Sequence, residues 1–297
     1  MIDIGRVGLW TGLIDQHPTA RIRELAQELE AMGWPCLWRP EAAGRDAMVS
    51  AANMLDATTH LKVATGIAQI HARHPHTTVA AQKTLHESSG GRFLLGLGVS
   101  HAPFIEGSRR LPYQTPYSDM VDYLTAMESA PFMAVAAADE PALVLAALGP
   151  KMLKLAAERT QGVHPYFATP EHTAIARGII GPDSLLAPEQ MVVIDTDLDR
   201  ARSTARKHMA RYLQLPNYTN NLRRLGFTDD DLAGPTDRLV DAVVACGDID
   251  VAVARVAEQH AAGADHVAIQ VCTDNFDLPI AQWGALADAL GLHPVKL

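Results

Sequence analysis

The chain has no clustered basic surface. Its 297 residues hold 34 Asp or Glu against 25 Lys or Arg, a formal net charge of −9, and no Lys/Arg run offsets it. Nucleic-acid binding needs a basic footprint, so that class is set aside. Long apolar runs are missing too. Stretches such as Phe132–Ala138 and Pro141–Gly149 fall far short of the roughly 20 residues that span a bilayer. The first ten residues, MIDIGRVGLW, lack a basic region followed by an apolar one, so no signal peptide is expected. Three cysteines, Cys36, Cys246 and Cys272, are odd in number and have no metal-like spacing. They are expected to be buried thiols of a reducing cytoplasm. No Gly-x-Ser-x-Gly elbow and no Ser/His/Asp pattern points to a nucleophile. Aromatics make up only 5%, and abundant alanine suggests tightly packed helices.

What is present is alternation. Hydrophobic residues are 48% and charged residues 20%, enough for a large core. Strand-like and helix-like runs follow one another: Arg6–Gly12 with Pro18–Met32, Cys36–Pro40 with Asp46–Thr59, Leu61–Ile70 with Thr77–Ser88, and Arg92–Ser100 with Pro116–Ser129. The second half continues with Ala142–Leu148 and Pro150–Thr160, Gly162–Phe167 and Pro170–Ile180, Gln190–Asp195 and Leu198–Leu213, and His266–Cys272 and Pro279–Leu290. Eight such pairs are the count for a (β/α)₈ TIM barrel, class α/β, in a single domain over 1–297. A doubly wound open sheet has the same periodicity. Residues 214–262 exceed the barrel minimum, with helical segments at Thr236–Cys246 and Asp250–Ala262. The second suits the helix before strand eight. The rest, 214–250, is a helical excursion after strand seven, either a cover over the site or a peripheral packing element.

Barrel chemistry sits at the carboxyl ends of the strands. The unit at 61–103 places Thr65-Gly66-Ile67 and Gly98-Val99-Ser100-His101 on the same side of the sheet, where glycines allow a flat ligand close to the backbone. Gly96-Leu97-Gly98 is not a dinucleotide fingerprint, since the third glycine is missing. It shows only that backbone or ligand comes close. Gly149-Pro150-Lys151-Met152 opens a helix with free N–H groups and a nearby lysine, which suits either a phosphate or plain helix initiation. His71, His74 and His76 surround Arg73, which opposes a cation, so no metal site is expected. Glu41 and His101, each just past a strand end, are the candidates for acid/base or hydrogen-bond work. A bland surface pair is the alternative.

Taken together, Leu37-Trp38-x-x-Glu41, Ala64-Thr65-Gly66-Ile67, Arg92-Phe93-x-Leu95-Gly96-Leu97-Gly98-Val99 and Gly149-Pro150-Lys151 resemble the bacterial luciferase-like monooxygenase superfamily. The resemblance is nearest to its coenzyme F420-dependent branch and covers nearly the whole chain. It implies a (β/α)₈ barrel, usually dimeric, with a deazaflavin or flavin ring at the mouth. It implies a non-proline cis peptide at Gly66–Ile67, a ring lined by Thr65, Gly66, Ile67, Gly98, Val99 and Ser100, and a cofactor phosphate on Gly149, Pro150, Lys151 and Met152. His164 and Tyr166 are expected near the cofactor tail or substrate. The resemblance implies hydride transfer between F420 and a small organic substrate in a cytoplasmic homodimer. An FMN-dependent monooxygenase and a non-catalytic flavin-binding protein are the alternatives. One departure stands out. Several deazaflavin enzymes of the family carry an Asp-His pair at the end of strand two, and the matching positions are Glu41 and Ala42. Ala42 can do no proton chemistry, so His101 or His164 is the expected substitute.

Overall fold

Neighbouring residues of each strand face two different cores. Leu9, Leu37, Val63 and Ile269 belong to one apolar cluster, while Trp10, Trp38, Ala64 and Ala268 belong to another. Period-two alternation of this kind, apolar on both faces, is what a buried parallel sheet requires. The structure is a computed structural model and describes residues 3–294; residues 1–2 and 295–297 of the expected single domain lie outside the described residues. The first half of the chain runs β1 (Val7–Trp10), α1 (Thr19–Ala31), β2 (Cys36–Arg39), α2 (Ala47–Ala57), β3 (Lys62–Thr65), β4 (Ala68–Gln69), α3 (Pro75–Ser88), β5 (Phe93–Gly98), α4 (Ala102–Gly107), α5 (Pro116–Glu128) and β6 (Leu143–Leu145). It continues with α6 (Pro150–Arg159), β7 (Gly162–Val163), α7 (Pro170–Ile180), β8 (Leu185–Leu186), β9 (Glu189–Ile194) and α8 (Leu198–Tyr212). The last elements are α9 (Pro216–Arg224), α10 (Asp229–Ala233), α11 (Asp237–Val243), β10 (Val244–Gly247), α12 (Ile249–Ala261), β11 (Val267–Val271) and α13 (Ile280–Ala289).

The strands form one parallel sheet in the order β10-β9-β11-β1-β2-β3-β5-β6-β7-β8, with β4 paired to β5. The stretch 185–194 is bonded on both sides. Ala187 N and Glu189 N donate to Val163 O and Pro165 O, while Ala268 N donates to Pro188 O at 2.9 Å. Helices pack on the outer cluster, as Leu25, Met54, Val79 and Trp283 show. Several start on side-chain caps: the Asp46 carboxylate accepts from Met48 N and Val49 N, and Thr228 and Asp231 form a capping box.

The structure departs from the sequence reading in places with local causes. The expected strand Leu61–Ile70 is broken into β3 and β4 around Gly66–Ile67. The expected strand Gly162–Phe167 is regular only over Gly162–Val163, because Pro165 lacks an N–H and Phe167 has φ 59°, a left-handed conformation no strand accommodates. The expected helix Thr236–Cys246 ends at Val243, and Val244–Gly247 joins the sheet beside β9. The β-branched Val243-Val244 pair favours that switch. α4 lies between the expected strand Arg92–Ser100 and the expected helix Pro116–Ser129, where no element is expected. Cys36 and Cys272 are buried, but Cys246 is only partly so.

Gly96 is required by backbone. A Cβ there would lie 2.1 Å from the Thr65 carbonyl oxygen, an atom that cannot move without parting β3 from β5. Gly96→Ala should therefore destabilise the fold by about 1–3 kcal/mol, as overpacked cores do. Urea denaturation checks this, and an unchanged midpoint would refute the close approach.

Candidate active site

The Gly66–Ile67 peptide at the break between β3 and β4 is cis, as the family resemblance implies. Its surroundings are built from four strand ends. Trp10 Nε1 at the end of β1 donates to Gly66 O at 3.0 Å. Gly66 N donates to Arg39 O at 2.7 Å, and Glu41 N donates to Ile67 O at 3.0 Å. A Cβ on Gly66 would lie 2.7 Å from Trp10 Nε1 and 2.9 Å from His164 Nε2, so only glycine fits. Thr65 Oγ1 donates to Gly96 O and accepts from Gly96 N, both at 2.8 Å. Its hydroxyl thus clamps two strands. A Cβ on Gly98 would meet Ile67 Cδ1 at 2.6 Å, so the Gly-x-Gly pair serves the approach of strand three before any ligand.

Glu41 sits where the family's acidic residue stands, but its carboxylate is fully engaged. Oε1 accepts from Ala47 N at 3.2 Å and from Arg73. Oε2 accepts from Gln69 N at 2.8 Å and from Arg73 Nη1 at 2.9 Å. Four donors fill the lone-pair sites of a carboxylate. The pair is almost wholly buried, with side chains 8% and 4% exposed. The expectation that Glu41 manages a proton or bonds the ring does not fit this geometry; its carboxylate braces the loop.

His101 precedes α4 and lies against Tyr218 of α9, ring centroids 5.4 Å apart. Burial lowers its pKa, with Arg211 acting in the same direction and a hydrogen bond to Asn217 opposing. Ser100 beside it has φ 60°, and Val99 and Ser100 are half-buried. His164 stacks on Trp38 with centroids 4.2 Å apart and rings 11° from parallel. Its Nδ1 bonds Ala187 O at 2.7 Å, while its Nε2 is buried with no partner among the described residues. Burial pulls this imidazole down to about 4, so it is neutral at pH 7. Tyr166 lies 5.0 Å from Trp10, centroid to centroid. His164 thus lies directly beside Gly66, and Tyr166 reaches it through Trp10.

At Gly149 a Cβ would meet nothing within 4 Å. The first turn of α6 begins at Pro150, with exposed Lys151 and half-buried Met152 behind it. First-turn N–H groups have no partner inside their helix, so this terminus is open to an anion. His71 lies 5.9 Å from Tyr113 and His74 Nδ1 accepts from His76 N, so the histidine group serves loop packing and a helix start. A cavity of about 720 Å³ opens at the other ends of the strands, lined by Arg6, Trp34, His60, Lys62 and His260 among others, away from Gly66.

Four residues of this site were not anticipated: Trp10, Arg73, Tyr218 and Glu189. Trp10 ends strand one, and its position was the available signal. Arg73 was visible only as a neighbour of histidines. Glu189 is the first residue of β9 and 1% exposed; the expected strand began one residue later. Burial pushes its carboxyl up to about 8 against one backbone hydrogen bond from Phe167.

Parallel strands with a glycine-bearing wall at their carboxyl ends and an open helix N-terminus beside it define an α/β enzyme built to hold a flat, anionic cofactor. The chain belongs to the luciferase-like monooxygenase family, whose model matches residues 6–266. A putative coenzyme F420-dependent oxidoreductase of Mycobacterium tuberculosis is 28% identical, over 87% of this chain and 92% of its own length. The coenzyme F420-dependent tetrahydromethanopterin reductase of Methanopyrus kandleri has the same fold, with a TM-score of 0.74 at 19% identity, covering 90% of this chain and 93% of its own. So does a type II Baeyer–Villiger monooxygenase of Pseudomonas putida in complex with FMN, at 0.70 and 14%, covering 95% of each chain.

Two expectations follow. Arg73→Ala would leave the buried Glu41 carboxylate without its cation and should cost about 3–5 kcal/mol in a urea titration; a loss under about 1 kcal/mol would contradict the brace. Second, His164 and His266, the latter pulled by burial down to about 3, hold fewer protons folded than unfolded. Their contribution is present above the ordinary histidine pKa of about 6.5 and is lost as pH falls toward 4. Glu189 slopes the opposite way but is outnumbered, so the urea midpoint should drop between about pH 7 and about pH 5. A flat midpoint would show the imidazoles are not buried neutral.

Proposed function

We propose that this protein is an F420-dependent oxidoreductase moving a hydride between a deazaflavin ring and an organic substrate. The observation that carries the reading is the wall at Gly66–Ile67, where Trp10, Thr65 and His164 converge with no room for a side chain, next to an open α6 terminus. The relative from Mycobacterium tuberculosis supports it. Taking β3 with β4 and β8 with β9 as single broken strands, and β10 as an addition, gives the eight βα units of a barrel. In this reading 214–250 is an insertion whose α9 lies over the mouth through Tyr218, and 1–297 is one domain.

The residues fit such a cofactor. Thr65, Gly66, Ile67, Gly98, Val99 and Ser100 form the ring wall. Gly149, Pro150, Lys151 and Met152 hold the phosphate on free N–H groups and one cation. When bound, the deazaflavin supplies the redox chemistry; the protein orients ring and substrate and excludes water. His101, with a depressed pKa at the mouth, is the residue that handles a proton. Glu41 acts through Arg73 and the peptide links around it as a positioning residue. A homodimer working in the cytoplasm completes the reading on family resemblance.

An FMN-dependent monooxygenase is the second reading, favoured by the FMN complex of the Pseudomonas putida neighbour. A non-catalytic binding protein is the third, kept by Ala42 at the place of the family's histidine. Titration with F420 and with FMN, followed by fluorescence and absorbance, separates them. Micromolar F420 binding, weakened a few-fold in Lys151→Ala and with turnover lost in His101→Ala, is the expected result. Binding of FMN alone would overturn the first reading, and F420 binding without turnover over a broad substrate panel would favour the third.

A further inference from the structure

The cavity at the amino ends of the strands has no part in the functional reading above. It encloses about 720 Å³, within the roughly 300–1,000 Å³ of small-molecule sites. Lys62 lines it from the first position of β3, while Thr65 at the last position belongs to the ring wall. Three residue steps along a strand put roughly 10 Å between the two places. The cavity is therefore a separate space and not an extension of the mouth.

Its helices and its strand starts contribute different chemistry. Val253, Val256 and Ala257 border it from one face of α12, and Leu290 and Leu292 border it just after α13. The strand starts bring charge. Arg6 stands just before β1 and Lys62 opens β3, on either side of Pro35, because β2 lies between β1 and β3. Neither cation has a hydrogen-bond or ion-pair partner among the described residues, whereas Arg21 meets Glu28 and Arg159 meets Glu128, both at 2.7 Å. Among the described residues of the lining, Glu30 is the one carboxylate, and it is already taken. It accepts from Thr59 N at 2.9 Å, from Leu61 N at 2.7 Å and from His60 N.

In a chain of net charge −9, two cations without carboxylate partners beside an apolar wall select a ligand class. An anionic head gains charge-assisted hydrogen bonds from them. An apolar body attached to that head gains by covering the α12 and α13 side chains. A cation is repelled, and a purely polar anion leaves the apolar wall wet.

We propose that this cavity binds a small amphipathic organic anion, its acidic head between Arg6 and Lys62 and its apolar body along α12 and the end of α13. The proposal is independent of the cofactor reading and stands or falls without it.

Fluorescence titration of the whole chain with anilinonaphthalene sulfonate and with phenylnaphthylamine tests this. The two probes share an aromatic body, and only the first carries an anion. The sulfonate should bind saturably. Its dissociation constant should rise about fivefold in Arg6→Gln and in Lys62→Met, and Lys62→Arg should restore it. The neutral probe should bind wild type and Lys62→Met alike. Ala257→Trp, which fills the cavity from an exposed helix position, should block both probes, with circular dichroism confirming its fold. Lys151→Ala, at the opposite ends of the strands, should leave sulfonate binding unchanged. Absence of saturable sulfonate binding overturns the proposal. So does binding that ignores Arg6→Gln and Lys62→Met, that survives Ala257→Trp, or that is lost in Lys151→Ala, the sign of a probe lodged in the mouth.

Discussion

The Glu41–Arg73 ion pair is the constraint on which the site depends. Its carboxylate gathers the first N–H of α2, the N–H of Gln69 on β4 and the guanidinium from the segment before α3. Those groups come from three stretches of chain, and Arg73 also reaches Asp46 at the start of α2, at 3.0 Å. With them fixed, the Glu41 amide reaches Ile67 O and the Arg39 carbonyl reaches Gly66 N, and the broken strand three has a single path. Few donors in the loop are left to chance, which is the condition for holding a ligand wall in one geometry. Burial makes the pair demanding: removing Arg73 leaves the Glu41 carboxylate without a cation, whereas Arg73 without Glu41 keeps Asp46.

Beyond this charged brace, the interior holds buried polar groups kept neutral. His164 and His266 are pulled down by burial, Glu189 and the tyrosines are pushed up. Environments that drive acid and base apart in this way characterise active sites. The orphaned atoms have a pattern too. His164 keeps Nε2 bare and Glu189 keeps Oε1 bare, on adjoining strand ends linked by Glu189 N to Pro165 O. His164 Nε2 faces Gly66, whereas Glu189 is held against the turn 165–167. Five aromatics, Trp10, Trp38, Tyr166, Tyr212 and Tyr218, fill a volume here that small residues could not.

Most helices were legible because their apolar faces repeat at helical spacing and their starts carry Pro or a capping side chain. Long strands such as β5 and β11 were legible as apolar runs. Two others, β8 and β10, were not. β8 is two residues, and nothing local distinguishes Leu185–Leu186 from a loop. β10 hides in a helical pattern, since Val243 and Val244 suit either state until a neighbouring strand accepts their backbone. Part of the site was legible through glycines: Gly66, Gly96 and Gly98 announced a close approach. What approached was unreadable, because Gly96 serves the Thr65 carbonyl, Gly98 serves Ile67, and Gly66 serves Trp10 and His164, all distant in the chain.

By itself, the sequence determined the alternating parallel architecture, the carboxyl-end location of the polar residues, the position of the cis peptide by resemblance and the open helix at Gly149. Periodicity and turn chemistry are local properties, and they survive in one dimension. Tertiary structure alone decided what each polar group became. Glu41 and Glu189 are chemically identical side chains, each beside a strand. One meets an arginine 32 positions away and is consumed as a brace. The other meets tyrosines and a single backbone N–H and is left with a free oxygen. Burial and partner set the state of a carboxyl group, and both are properties of the folded chain.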